Sequence, residues 1–201
     1  MSEAAAAARP AGLRERKKAR TRAAIREHAL RLFREHGYHD TTVEQIAEAA
    51  EVSPSTFFRY FPTKEDVVLQ DDFDVLAVGL FEAQPAELSP IAAFRATAAQ
   101  MFGALSAEDL ARLHETTELT FNVPEVRARA LDEFARTIDV MAAAIARRTG
   151  RSPDEFAVRN VAGALIGVIM SATMPWAGQP DEDMFGRIDA ALAHLEVGLP
   201  L

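Results

Sequence analysis

Apolar residues recur three and four positions apart along almost the whole chain, and strict alternation never persists beyond a few residues, so the pattern predicts helices and no sheet. Ile25, Ala29, Leu32 and Phe33, at i, i+4, i+7 and i+8, mark the inner face of a first amphipathic helix that ends at His36-Gly37. Val43, Ile46, Ala47 and Ala50 repeat the pattern in a short second helix. Thr42 and Gln45 open it as a capping box, each side chain placed to satisfy a backbone donor at the helix start. Only Glu51, Val52 and Ser53 precede the next start signal, in which Ser53 caps and Pro54 takes the first helical position, where its missing N–H costs nothing. A third helix over Pro54 to about Tyr60 follows, and Pro62 stops it. Thr63 with Asp66 starts a fourth, predicted to run through Val67, Leu69, Phe73, Leu76 and Leu80 to about Phe81.

Two short helices joined by so short a turn have the form of a helix-turn-helix, whose second helix enters the DNA major groove. Beyond residue 84 the breaks fall at Pro85 and Pro90, at Ser106, at Asn122-Val123-Pro124, over 149–153 and over 177–180. They leave long helices near 90–105, 107–121, 124–148, 154–176 and 181–198, with wide apolar faces and no internal repeat. The fold expected is therefore all-α: a leader over 1–13, a helix-turn-helix domain over 14–62 and a larger helical bundle over 63–201.

Composition narrows the chemistry. The chain has 201 residues, 49% of them apolar, enough for one compact unit or a small domain joined to a larger one. Cysteine is absent, which excludes a disulfide framework, a thiolate metal site and a cysteine nucleophile, and fits the cytoplasm. The stretch MSEAAAAARPAG lacks a basic segment ahead of a long apolar run, so it reads as a leader rather than a secretory signal. The most apolar stretch, 161–176, is short for a membrane span and is interrupted by Gly163, Gly167, Ser171, Thr173 and Pro175, so a buried helix and no membrane partner are expected.

Charge is unevenly placed. The chain carries −8 overall, yet residues 1–65 hold 12 Lys/Arg against 9 Asp/Glu, while residues 66–201 hold 10 against 21. Ten basic residues lie within 9–34, facing only Glu15 and Glu27. A polyanion can dock on such a segment, and the alternative is a solvated charged helix. Between Arg14 and Lys64 the remaining elements of a DNA reader are present. Thr42 sits at a helix start, where hydroxyl and backbone donors suit a phosphate. Ser55, Thr56, Arg59 and Tyr60 project from the third helix toward base edges, with Tyr60 or Lys64 in reach of the DNA backbone. Phe57 and Phe61, four apart, are assigned to the core.

The run Thr41-Thr42-Val43-Glu44-Gln45-Ile46-Ala47, followed by Val52-Ser53-Pro54-Ser55-Thr56-Phe57-Phe58-Arg59-Tyr60-Phe61-Pro62-Thr63-Lys64-Glu65, resembles the DNA-binding domain of the tetracycline-repressor (TetR) family over roughly residues 14–69. The resemblance implies a three-helix DNA-binding domain joined to a divergent helical domain that dimerises and holds an effector. It also implies that Thr42, Ser55, Thr56, Phe58, Arg59, Tyr60 and Lys64 line the DNA face, with Ser53 beside them and Arg22 serving arm or phosphate contacts. Two positions depart from the family pattern. Glu51 stands where the turn usually has glycine, and Phe58 stands where tyrosine is usual, so an apolar base contact replaces a phosphate hydrogen bond there and Tyr60 is a candidate for the tyrosine's role. The block SPSTFFRYFPTKEDVV also looks like a subgroup common in actinobacterial regulators, some similar to repressors that respond to acyl-coenzyme A.

In the bundle, Phe102, His114, Phe121, Met141, Met170, Met174 and Trp176 are candidates to line an effector cavity, the alternative being ordinary core. His114, Arg95 or Arg136 would orient a polar or anionic end. Gly163, Gly167 and Ser171, four apart, permit close helix approach. By resemblance the last two helices form a homodimer's interface, and intrachain packing is the alternative. No cofactor is expected. His36, His39 and Asp40 read as a surface turn rather than a metal site, and no phosphate-binding glycine loop or nucleophile motif is present. The function expected is a homodimeric, ligand-responsive repressor, not an enzyme, released from a pseudo-palindromic operator in double-stranded DNA by an apolar or amphipathic effector, an acyl thioester among the candidates. An activator or effector-free DNA-binding protein is the first alternative. A lipophilic-ligand enzyme or carrier with a DNA-targeting module is the second.

Overall fold

The computed structural model describes residues 12–70, 73–174 and 183–201. The expected leader up to residue 11, and Trp176, lie outside the described residues. Ten helices and no strand occur among those described: α1 Leu13–His36, α2 Val43–Ala49, α3 Pro54–Tyr60, α4 Lys64–Leu69, α5 Phe73–Ala83, α6 Pro90–Gly103, α7 Ala107–Asn122, α8 Pro124–Thr149, α9 Phe156–Thr173 and α10 Met184–Glu196. Their ends carry the chemistry read from the sequence. Thr42 and Gln45 form the capping box of α2, and Ser53 accepts the Thr56 N–H at the start of α3. Ser89, Ser106 and Asp183 cap α6, α7 and α10 in the same way.

One expectation is corrected. The fourth helix, predicted as one element from Thr63 to about Phe81, is two helices, α4 and α5, with Gln70 outside both. The sequence signal passed over is the low helix propensity of adjacent aspartates, which the spacing of apolar positions overrode in the reading.

Two compact units divide the chain between Val67 and Val68. That division falls inside α4, and Phe61, Asp66 and Val67 beside it are fully buried. The first unit packs α2 against α1 and α3, with Ile25, Ile46, Phe57 and Phe61 inaccessible to solvent. Burying each such side chain contributes roughly 1.5–3 kcal/mol.

The second unit is a bundle in which α9 packs on α8 and α10, α10 on α6, α7 on α8, and α5 on α6 and α8. A partly exposed ion-pair cluster clasps α6 to α10. Arg95 donates to both carboxylate oxygens of Asp189, at 2.9 and 3.1 Å, and to Glu196 at 2.8 Å. The bidentate hydrogen bond holds the Asp189 carboxyl below its usual range and raises the guanidinium above its own. Arg148 donates to the carbonyls of Gln84, Pro85 and Leu88 and lies over Phe81, which fastens the loop between α5 and α6. α9 has the length and apolarity to cross a membrane, with a mean hydropathy of 1.5, and only part of it is buried in this chain. Val158, Ala162, Leu165, Ile166 and Ala172 form that buried side.

Candidate functional site

The candidate DNA face is built on α2 and α3. The turn between them is a Schellman closure: Val52 N–H reaches the Ala47 carbonyl at 2.9 Å and Glu51 N–H reaches Glu48 at 3.0 Å. Such a closure needs a left-handed residue, and Glu51 supplies it with φ 54°. The turn is thus made without glycine by straining a glutamate. At the start of α3, Ser53 Oγ lies 2.9 Å from both the Ser55 and Thr56 hydroxyls. Thr42, Ser53, Ser55, Phe58 and Arg59 are exposed, while Thr56 and Tyr60 are half-buried. Phe58 is half exposed and sets its ring edge-on to the buried Phe57, 5.4 Å between centroids. The Arg59 guanidinium lies over Tyr60 and that of Arg22 over Phe61. The residues assigned to base contact therefore share one short helix, whose other side carries Phe57 into the core.

Lys64 has a more internal setting than phosphate contact alone requires. Its Nζ donates to the carbonyls of Tyr38, at 2.8 Å, and Thr41, at 3.0 Å, and lies 4.0 Å from the Tyr38 ring centroid. Tyr38 Oη in turn donates to Glu65 at 2.7 Å. Burial works to raise the Glu65 carboxyl, but the Tyr38 hydrogen bond, neighbouring backbone and Thr63 bonds and the Lys64 charge outweigh it and hold the group below its usual value. Thr41, fully buried, donates between the carbonyls of Leu32 and Gly37. Tyr38, Thr41, Lys64 and Glu65 thus fasten the turn that places α2. Sequence reasoning missed this cluster, except for Lys64, because its two halves, the α1–α2 turn and the start of α4, lie far apart in sequence.

In the bundle a cavity of about 350 Å³ opens between α6, α7, α8, α9 and α10, with Val68 and Leu69 of α4 on its wall. A second of about 230 Å³ adjoins it and shares Phe94, Phe134 and Ile169. Of the predicted lining, Phe102 and Phe121 face the larger cavity, and Met141 and Met170 face the smaller. His114 and Met174 reach neither. His114 stands elsewhere on α7, and Met174, half exposed, lies just past the end of α9. The proposed polar anchors are corrected too: Arg95 is engaged by Asp189 and Glu196, and Arg136 by Glu133. The polar wall consists instead of threonines, including Thr97, Thr116, Thr120 and Thr173, with Glu133. Thr116, Thr117 and Thr120 cluster in the sequence of α7, a signal that attention to phenylalanine and methionine passed over.

The stripe Gly163, Gly167 and Ser171 runs along the side of α9 turned away from its buried residues. A methyl group placed on Gly163 or Gly167 would meet nothing within 4 Å. Among the described residues of the chain, no helix occupies the close approach those glycines permit.

Comparison with known proteins bears on both units. A family model described as bacterial regulatory proteins, tetR family, matches residues 25–70. One described as MftR C-terminal domain matches residues 88–200. The chain is 35% identical over 181 residues to the HTH-type transcriptional regulator TcmR of Streptomyces glaucescens, covering 86% of this chain and 80% of that protein. It is 28% identical over 177 residues to the regulator MftR of Mycobacterium tuberculosis, covering 87% and 89%. Among solved structures it resembles Thermus thermophilus FadR, a TetR-family repressor in complex with lauroyl-CoA, with a TM-score of 0.55, 27% identity and 90% and 95% coverage.

Proposed function

The chain belongs to the tetR family of bacterial regulatory proteins, DNA-binding transcriptional regulators, and on that premise we propose that it is a homodimeric repressor released from its operator by a mainly apolar small molecule. The observation that carries the effector reading is the cavity of about 350 Å³ in the bundle, the size of a small-molecule site. The likeness to a FadR that holds lauroyl-CoA supports it. α4 supplies the route of response: its first residues, Lys64 and Glu65, bind the turn before α2, and its last, Val68 and Leu69, line the cavity. A ligand shifts the protein toward release only if it binds the non-DNA-binding state more tightly. The uncovered stripe on α9, with α10 beside it, is the surface for the second subunit. The regulator acts in the cytoplasm, on double-stranded DNA.

Footprinting with purified protein tests this reading. A two-fold symmetric footprint is expected, with half-sites at least about 34–36 Å apart, since one reading helix per chain needs a symmetric partner. Selection on randomised operators should show Arg59→Ala relaxing base preference by roughly 1–3 kcal/mol at the positions it touches. Arg22→Ala should weaken binding to all sequences alike. A monomer that binds one half-site with full affinity would refute the dimer, and an Arg59→Ala protein with unchanged base preference would refute the assigned face.

A further inference from the structure

Most hydroxyls on the wall of the larger cavity have their protons engaged and face it as acceptors; among the described lining threonines, Thr117 keeps a hydroxyl able to donate. Thr97 gives its hydroxyl proton to the Ala93 carbonyl at 2.9 Å, Thr120 to Thr116 at 2.7 Å and Thr173 to Ile169 at 3.0 Å. Thr116 shares its proton between Arg112 and Leu113, both at 3.1 Å. A hydroxyl has one proton and two lone pairs, so each of these oxygens, its proton engaged by its own helix, faces a ligand as an acceptor. Glu133, the one ionisable side chain among the described residues that line the cavity, is an acceptor as well. Arg136 donates to it at 3.1 Å, while Arg129 donates to Asp132 at 3.2 Å and lies 3.7 Å from Glu133; neither guanidinium lines the cavity.

A ligand anion would enter a space walled by phenylalanine and threonine oxygens, with a carboxylate for its only charged neighbour. Burying a charge without a partner costs far more than burying a hydroxyl that finds an acceptor. The rings of Phe94, Phe102, Phe121 and Phe134 favour a flat, ring-bearing body, which can stack or meet them edge-on. We infer that this cavity takes an uncharged, ring-bearing molecule that donates hydrogen bonds through a hydroxyl, a phenol or related alcohol, in preference to an anionic acyl thioester or carboxylate. The inference rests on reading this cavity as the effector site, and it replaces the acyl thioester suggested by the sequence with a ligand of opposite hydrogen-bonding character.

Three fluorescent probes of one shape test it on the full-length protein: hydroxypyrene, methoxypyrene, which lacks the donor, and pyrene carboxylate, which is charged. Lauroyl-CoA serves as the acyl thioester. Hydroxypyrene should bind roughly three- to tenfold more tightly than methoxypyrene, the gain of about one net hydrogen bond, with the carboxylate and lauroyl-CoA weaker still. Thr116→Val with Thr120→Val should shrink the preference for the hydroxyl to within about twofold, and the serine counterparts should keep it. Equal or tighter binding of methoxypyrene, tightest binding of either anion, or no measurable binding of hydroxypyrene would overturn the inference. The comparison on unaltered protein decides the matter even if the valine variants fail to fold. Operator release is read separately. Hydroxypyrene that binds without releasing DNA would uphold the cavity chemistry and defeat the repressor reading, and release by lauroyl-CoA alone would do the reverse.

Discussion

The N-terminal unit and the bundle are made from the same amphipathic helices, yet one closes its interior and the other leaves it hollow. In the first, α1 and the short α2 and α3 meet around fully buried Phe57 and Phe61, and polar bonds between elements fasten the α1–α2 turn: Tyr38 to Glu65, Lys64 to the carbonyls of Tyr38 and Thr41, Thr41 to Leu32. In the bundle, phenylalanines and threonines surround about 350 Å³ of space, and the polar bonds of the cavity wall run within each helix. The difference matches the tasks proposed for the two. A reading helix must present its side chains in one geometry, whereas an effector site must keep room and let its wall adjust.

The sharpest way to break that comparison is to remove one aromatic ring from each unit. Phe57 is fully buried, so Phe57→Ala should cost about 3–5 kcal/mol and abolish operator binding while the bundle's thermal transition persists. Phe102 is half-buried, already borders empty space and touches Phe185, so Phe102→Ala should cost only about 1–2 kcal/mol and leave operator affinity intact. Calorimetry on both variants, with operator titrations, checks the pair. Equal losses would mean that the bundle is as tightly filled as the reader.

Legibility followed the same division. The order of helices apart from the division of α4 from α5, the caps at Thr42 and Ser53 and the inward rings of Phe57 and Phe61 were all readable, because capping and core periodicity are local in sequence. The candidate DNA face was readable for the same reason, since all but Arg22 and Lys64 lie within α2's cap and the segment of α3. What escaped was non-local. Periodicity marks Phe121 and Met174 alike as apolar helix positions, yet one faces the cavity and the other emerges half exposed. Arg95 looked like an anchor for an anion because nothing near it in sequence revealed Asp189 and Glu196, some hundred residues away, as its partners.

A smaller effect tests whether the bonds between elements truly distinguish the reader. The Glu65 carboxyl is held below its ordinary value, so it titrates at lower pH folded than unfolded. Its contribution is therefore complete above the ordinary carboxylate range and is lost as pH falls through the lowered folded value. Tyr38→Phe removes the donor 2.7 Å from Glu65 and should cost about 1 kcal/mol near neutrality. The variant should also lose less of its remaining stability than the parent as pH is lowered toward about 3. Melting curves of both proteins over that range measure it. Parallel acid limbs would show that the pair contributes no proton linkage and that the ring alone positions the turn.

The smallest effect concerns Glu51, the one non-glycine residue at positive φ among the described residues of the reader. Glu51 holds φ 54° so that Val52 and Glu51 can close the end of α2 onto the carbonyls of Ala47 and Glu48. The left-handed conformation costs an ordinary residue roughly 1–2 kcal/mol, and glycine would remove that cost. Glycine also gives the unfolded chain more freedom, which returns about 0.5–1 kcal/mol of it. Glu51→Gly should therefore stabilise the first unit by a few tenths to about 1 kcal/mol, seen as a rise of its denaturation midpoint at unchanged slope. Operator affinity should stay the same, because the closure that places α3 is kept. A loss of stability would show that the Glu51 side chain, exposed in the structure, contributes more than its backbone strain costs.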